Sequence, residues 1–153
     1  MRDRRGGIST YLCLRAHLVQ SDIRERLQGI LGDAYEIESE LAQGGMSRLF
    51  LAVERSLERR VVVKILPPEL ASEVSVARFQ REIALTAHLQ HPHVIPILST
   101  GAQAGLLFYI APYVEGESLR HRLTREGRLP LNDALRIIRE IADALSYAHS
   151  RGV

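Results

Sequence analysis

The chain has 153 residues, 46% hydrophobic and 25% charged, the length and composition of one ordinary globular domain. Its net charge is +2: residues 1–31 hold six Arg against three acids, and residues 32–153 hold fourteen basic groups against fifteen acids. The near-neutral body gives no sign of the basic face that nucleic-acid binding needs, and the lone Cys13 excludes an intramolecular disulfide and a Cys/His zinc cluster.

Met1 to Ser21 begins basic, but Arg15 and His17 break its apolar part and no small-residue cleavage site follows. It reads as a poorly ordered extension rather than a signal peptide, and the single cysteine fits a reducing, cytoplasmic setting. Ser21 to Leu31 reads as a short helix with Ile23, Leu27, Ile30 and Leu31 on one side, stopped by Gly32-Asp33. Tyr35, Ile37 and Leu41 alternate with polar residues as in a half-buried strand. Gln43-Gly44-Gly45 signals a turn, and Leu49, Leu51 and Val53 resume the alternation, which makes a hairpin. Glu54 to Arg60 is the next turn, Val61 to Leu66 a third strand, and Pro67-Pro68 ends it.

A helix is expected from about Ser75 to Gln90, with Phe79, Ile83 and Thr86 on one face, Glu82 at its edge, and His91-Pro92-His93 closing it. Val94 to Leu98 and Leu106 to Ala111 read as two more strands around a Gly101–Gly105 turn. The apolar run Gly105 to Val114 is far too short to span a bilayer. Pro112 to Gly116 is a linker, and Ser118 caps a short helix running to about Arg125. The last helix, about Leu131 to Ser150, carries an apolar stripe of Leu131, Leu135, Ile138, Ala142, Leu145 and Ala148.

Nineteen of the twenty basic residues are arginine; the single lysine, Lys64, ends the strand run Val61-Val62-Val63-Lys64. Arginine is a broad planar fork, whereas lysine is a point charge on a slim stem. A slim stem suits a charge that leaves a buried strand to reach a phosphate oxygen.

The element order and six short motifs together resemble the eukaryotic-type protein kinase domain of bacterial serine/threonine kinases. The motifs are Leu41-Ala42-Gln43-Gly44-Gly45-Met46-Ser47-Arg48-Leu49-Phe50-Leu51-Ala52, Val61-Val62-Val63-Lys64, and Arg78-Phe79-Gln80-Arg81-Glu82. They continue with His91-Pro92-His93, Tyr113-Val114-Glu115-Gly116-Glu117-Ser118-Leu119, and Ala144 through Val153. The resemblance covers about Asp33 to Val153. It implies an α+β fold: a kinase-like N-lobe, five antiparallel strands plus one major helix, followed by the first helices of a truncated C-lobe. The expected division is an extension with a short helix (1–32), the N-lobe and hinge (33–116), and an incomplete C-lobe (117–153).

The resemblance also implies ATP as ligand. Gly44 and Gly45 give the permissive backbone of a phosphate-covering loop, although Ala42 and Ser47 stand where the family has its first and third glycines. Lys64 would hold the α- and β-phosphates and pair with Glu82. Leu41, Leu49 and Val62 would line the adenine pocket, Ala111 guard its back with Pro112 beside it, Val114 offer a backbone N–H, and Ser118 contact the ribose. Val62 stands where the family usually has alanine and Ala111 where it often has something larger, a volume-conserving exchange. The 153 residues contain neither His-Arg-Asp nor Asp-Phe-Gly, so the family's catalytic Asp and its Mg2+ ligands are absent from this chain. The expectation is a kinase fragment, inactive alone, that acts on protein substrates in a full-length enzyme; the alternative is a non-catalytic nucleotide- or protein-binding module. Self-association through the 131–150 helix is a further expectation.

Overall fold

A computed structural model describes residues 23–43, 47–68 and 71–153. Gly44, Gly45 and the first 22 residues, including the extension expected up to Ser21, lie outside the described residues. Helix α1 (23–31) runs into a short 3-10 turn, Gly32–Ala34, and then into strand β1, Tyr35–Gln43. The other elements are β2 (Arg48–Glu54), β3 (Arg59–Leu66), α2 (Glu73–Ala87), β4 (Ser99–Gln103), β5 (Leu106–Pro112), α3 (Leu119–Glu126) and α4 (Leu131–Ser150).

The five strands form one antiparallel sheet in the order β1-β2-β3-β5-β4. Strand side chains alternate between faces, and here each face has its own task. Phe50, Ala52, Val61, Val63, Ile65, Leu106, Phe108 and Ile110 are buried in one cluster with Ile37 and with Ile23, Leu27 and Leu31 of α1. Leu49, Val62, Lys64, Tyr109 and Ala111 occupy the intervening positions, where Leu49 opposes Lys64, Val62 opposes Ala111 and Lys64 opposes Tyr109. They face the other side, where Phe79 of α2 lies 5.7 Å, ring to ring, from Tyr109.

Helix α1 is fastened to the sheet as well as packed on it. Arg24 donates to the carbonyl of Ile37 at 2.9 Å, Gln28 donates to the carbonyl of Tyr35 at 2.8 Å and accepts from the Ile37 amide at 2.9 Å, and Arg26 donates to the carbonyl of Ala104 at 2.9 Å. The expected helix over residues 21–31 is thus helical throughout its described part.

Two expectations need correction. Val94 to Leu98 is not a strand; β4 is Ser99–Gln103, whose last three residues fall in the stretch Gly101–Gly105 read as a turn. The chain reverses at Ala104-Gly105, both at positive φ (50° and 76°), a two-residue hairpin turn that matches the strand twist. Gly101 sits within β4 because a Cβ there would stand 2.2 Å from the Phe108 ring. Helix α2 also begins two residues earlier than expected and ends three earlier. Ser72 caps it, accepting from the Ser75 amide at 3.3 Å, and the helix is over before His91-Pro92-His93. Helix α4 has the expected bounds, but most of its apolar stripe faces solvent: Leu131 is 73% exposed, Ile138 61% and Leu145 51%.

Candidate functional site

The uncovered part of the second sheet face forms a cleft of about 570 Å3 between the sheet, α2 and the linker after β5. Leu41, Leu49 and Val62 line it from β1, β2 and β3, and Ala111, Pro112, Val114 and Ser118 from the other side. The walls are predominantly apolar, and Lys64 stands at one end. A mostly apolar cleft with few polar groups is the general form of a small-molecule site.

Lys64 is held in place by its neighbours. Its Nζ lies 2.5 Å from Glu82 Oε1, a pair joining β3 to α2, with side-chain exposures of 21% and 41%. Tyr109 donates its hydroxyl to the same Oε1 at 2.8 Å, and the Lys64 ammonium lies 5.6 Å from the centre of the Tyr109 ring. Burial pushes the Glu82 carboxyl up, but the Lys64 and Tyr109 hydrogen bonds and the ammonium charge outweigh it, so Glu82 titrates below its ordinary value. Burial, and then the hydrogen bond and charge of Glu82, push the Tyr109 phenol well above its ordinary value. Tyr109 therefore stays a protonated donor.

An adjoining hollow of about 210 Å3 is lined by Ser47, Lys64, Leu66, Ser75, Arg78, Phe79 and Glu82. Lys64 borders both spaces. Ser47 lies in the hollow rather than the cleft, and Ala42, exposed on β1, lines neither. Ser118 lines the cleft and also caps α3, accepting from the His121 amide at 3.2 Å. At the linker, the Tyr113 amide donates to the Arg60 carbonyl at 3.3 Å, so Val114 is the first residue past the bond that ties the linker to β3.

Sequence reasoning missed Tyr109, Ile95, Ile97, Tyr113 and Glu117 as lining residues, and left Thr86 as a helix-packing residue. For Tyr109 a signal existed: it lies two residues before Ala111 on one strand, hence on the same face. Among the described residues no group of three or more His, Cys, Asp or Glu is placed to hold a metal ion. The donors for Mg2+ are not assembled among them. No helix among the described residues is long and apolar enough to cross a membrane.

Comparison with known proteins fits this geometry. The chain is 41% identical over 121 residues to the serine/threonine-protein kinase pkn3 of Myxococcus xanthus, covering 78% of this chain and 22% of that protein. It is 38% identical over 128 residues to the serine/threonine-protein kinase PknB of Mycobacterium tuberculosis, covering 80% and 20%. It therefore spans about a fifth of these relatives. Among solved structures, the kinase domain of Mycobacterium tuberculosis PknI superposes with a TM-score of 0.66 at 29% identity, over 79% of this chain and 50% of that one. The protein kinase domain family matches residues 35–153, and the chain belongs to that family.

Proposed function

We propose that this chain is the ATP-holding part of a serine/threonine protein kinase, an enzyme that transfers the γ-phosphate of ATP to Ser or Thr hydroxyls of proteins. The observation that carries the reading is the Lys64–Glu82 pair at 2.5 Å, set at the end of an apolar cleft of about 570 Å3. The base stacks between Leu49 and Val62 on one side and the linker on the other, with Ala111 at the back and the Val114 amide at its edge. Glu82 fixes the Lys64 stem so that the remaining ammonium protons face the phosphates. Mg2+, when bound in the full enzyme, neutralises phosphate charge; its ligands are not among the described residues.

Calorimetry with ATP tests the reading. Weak binding is expected, and Lys64→Ala should abolish it. Lys64→Arg should also weaken it, because the guanidinium fork does not follow the path of the slim ammonium stem. Equal affinity in all three proteins would remove Lys64 from the site. The 153 residues contain no His-Arg-Asp segment, whose Asp takes the substrate hydroxyl proton in this family. The purified chain is therefore expected to bind ATP without phosphorylating a generic Ser/Thr substrate; turnover that vanishes in Lys64→Ala would contradict this.

A further inference from the structure

We propose that Tyr109 is a positioning residue that holds Glu82, and through it Lys64, in the closed arrangement before any nucleotide arrives. The proposal rests on the reading of the cleft as a nucleotide site, and four contacts carry it.

The Tyr109 hydroxyl and the Lys64 ammonium converge on one oxygen, Glu82 Oε1, at 2.8 and 2.5 Å. Helix α2 is thereby tied to two neighbouring strands, β3 through Lys64 and β5 through Tyr109. A lone Lys–Glu pair between flexible, part-exposed side chains is weak and readily lost. A second donor from a side chain with only two rotatable bonds restricts where the carboxylate can sit. The ring is restrained in turn, since it packs 5.7 Å from Phe79 on the same helix.

The same ring lies 5.6 Å from the Lys64 nitrogen, within range of a cation–π attraction. Lys64 is thus held between a carboxylate oxygen and an aromatic face. The groups facing Glu82 are Lys64 from β3 and Tyr109 from β5, while Arg78, one helical turn earlier on α2, lines the adjoining hollow. The Tyr109 phenol remains a donor over the whole physiological range. The clamp therefore does not switch with pH near neutrality; it is a fixed part of the site.

The test exploits the single lysine. Growth on lysine labelled with 13C at Cε gives one side-chain resonance, that of Lys64, with no assignment needed. The full chain and Tyr109→Phe are compared. Phenylalanine keeps the ring against Phe79 and removes only the hydroxyl, and circular dichroism checks that the fold persists. The Lys64 resonance is expected to move in Tyr109→Phe. The acid titration seen through it should rise towards the ordinary carboxylate value, since a bond favouring the charged form is gone. Glu82→Gln should erase that titration and so identify it. ATP should bind Tyr109→Phe more weakly, on the order of three- to tenfold, as expected for one hydrogen bond to a part-exposed carboxylate.

Tyr147→Phe is the control. It also removes a tyrosine hydroxyl, one that accepts from the Gln90 amide at 3.2 Å away from the cleft, and should leave the Lys64 resonance in place. A Lys64 resonance and titration identical in wild type and Tyr109→Phe would overturn the proposal, as would an equal movement in Tyr147→Phe. If the resonance moves as expected but wild type binds no ATP, the clamp stands and the nucleotide reading alone fails.

Discussion

Charge at single residues separates what holds this lobe together from what equips it. Arg48 is 3% exposed and donates twice to Glu40 at 2.7 Å, with its guanidinium 5.2 Å from the Phe50 ring centre. It ties β1 to β2 at the start of β2. Removing one partner of a buried pair typically costs about 3 kcal/mol, so Arg48→Ala should lower stability by about that much in urea unfolding, while Arg48→Met with Glu40→Leu should recover most of it. Glu82 differs, being part-exposed and paired in the cleft. Its folded pKa is lowered, so its stabilisation is full above the ordinary value of 4.5 and is lost as pH falls through the lower folded value. The difference in Tm between wild type and Glu82→Gln should accordingly be constant from pH 7 to 5 and shrink only below pH 4.5; a difference that shrinks already between pH 7 and 5 would contradict the assigned shift. Lys64 and Glu82 were named from the sequence through the resemblance to the kinase family, which gave a role to a unique lysine ending an apolar strand and to a glutamate at the edge of a helix face. For Tyr109 only its place on the Ala111 face was legible; its bond to Glu82 was not, because a tyrosine in a strand reads as ordinary packing and that bond depends on how α2 packs on β5.

Elements were legible where periodicity is strong and illegible where tertiary contacts choose the residue. Helix α4 was read with its observed bounds from a twenty-residue amphipathic pattern. Strand β4 was misplaced because Ser-Thr-Gly-Ala-Gln is small and polar and carries a glycine. That glycine is there for the Phe108 ring opposite it, not for a turn. Gly101→Ala should therefore behave as an overpacked core substitution, costing about 1–3 kcal/mol, despite its place on an edge strand; an unchanged midpoint in urea would show that Phe108 moves aside freely. Helix α1 was legible as a helix, whereas its role was not, since nothing in its sequence names the sheet it covers. Leu27 is fully buried in the shared core, so Leu27→Ala should cost about 2–5 kcal/mol. We infer that α1 belongs to the folding unit of the sheet. A chain starting at residue 33 is expected to expose the apolar sheet face and aggregate; a monomer of unchanged Tm would contradict that inference.

At the scale of the whole molecule, the sheet with α1 is a well-packed lobe, and α4 meets the rest of the chain through polar contacts and the stacking of Tyr147 on His91 at 5.2 Å. Asp143 pairs with His91 at 3.2 Å, the Tyr147 hydroxyl accepts from the Gln90 amide, and Arg122 pairs with Asp133. Its outward stripe is unsatisfied: burying one large apolar side chain is worth roughly 1.5–3 kcal/mol, and Leu131, Ile138, Ile141 and Leu145 all remain about half exposed or more. The 153-residue chain should therefore self-associate in light scattering, and replacing Ile138 and Leu145 by Gln should shift it towards monomer; a clean monomer before substitution would show that the stripe has found cover. The central claim, that the cleft ending at Lys64 receives nucleotide, is tested most directly by titrating ATP into the chain labelled at its single lysine. The account predicts a saturable movement of the Lys64 Cε resonance whose midpoint matches the calorimetric Kd. ATP that binds by calorimetry while that resonance stays still would place the nucleotide elsewhere and contradict the account.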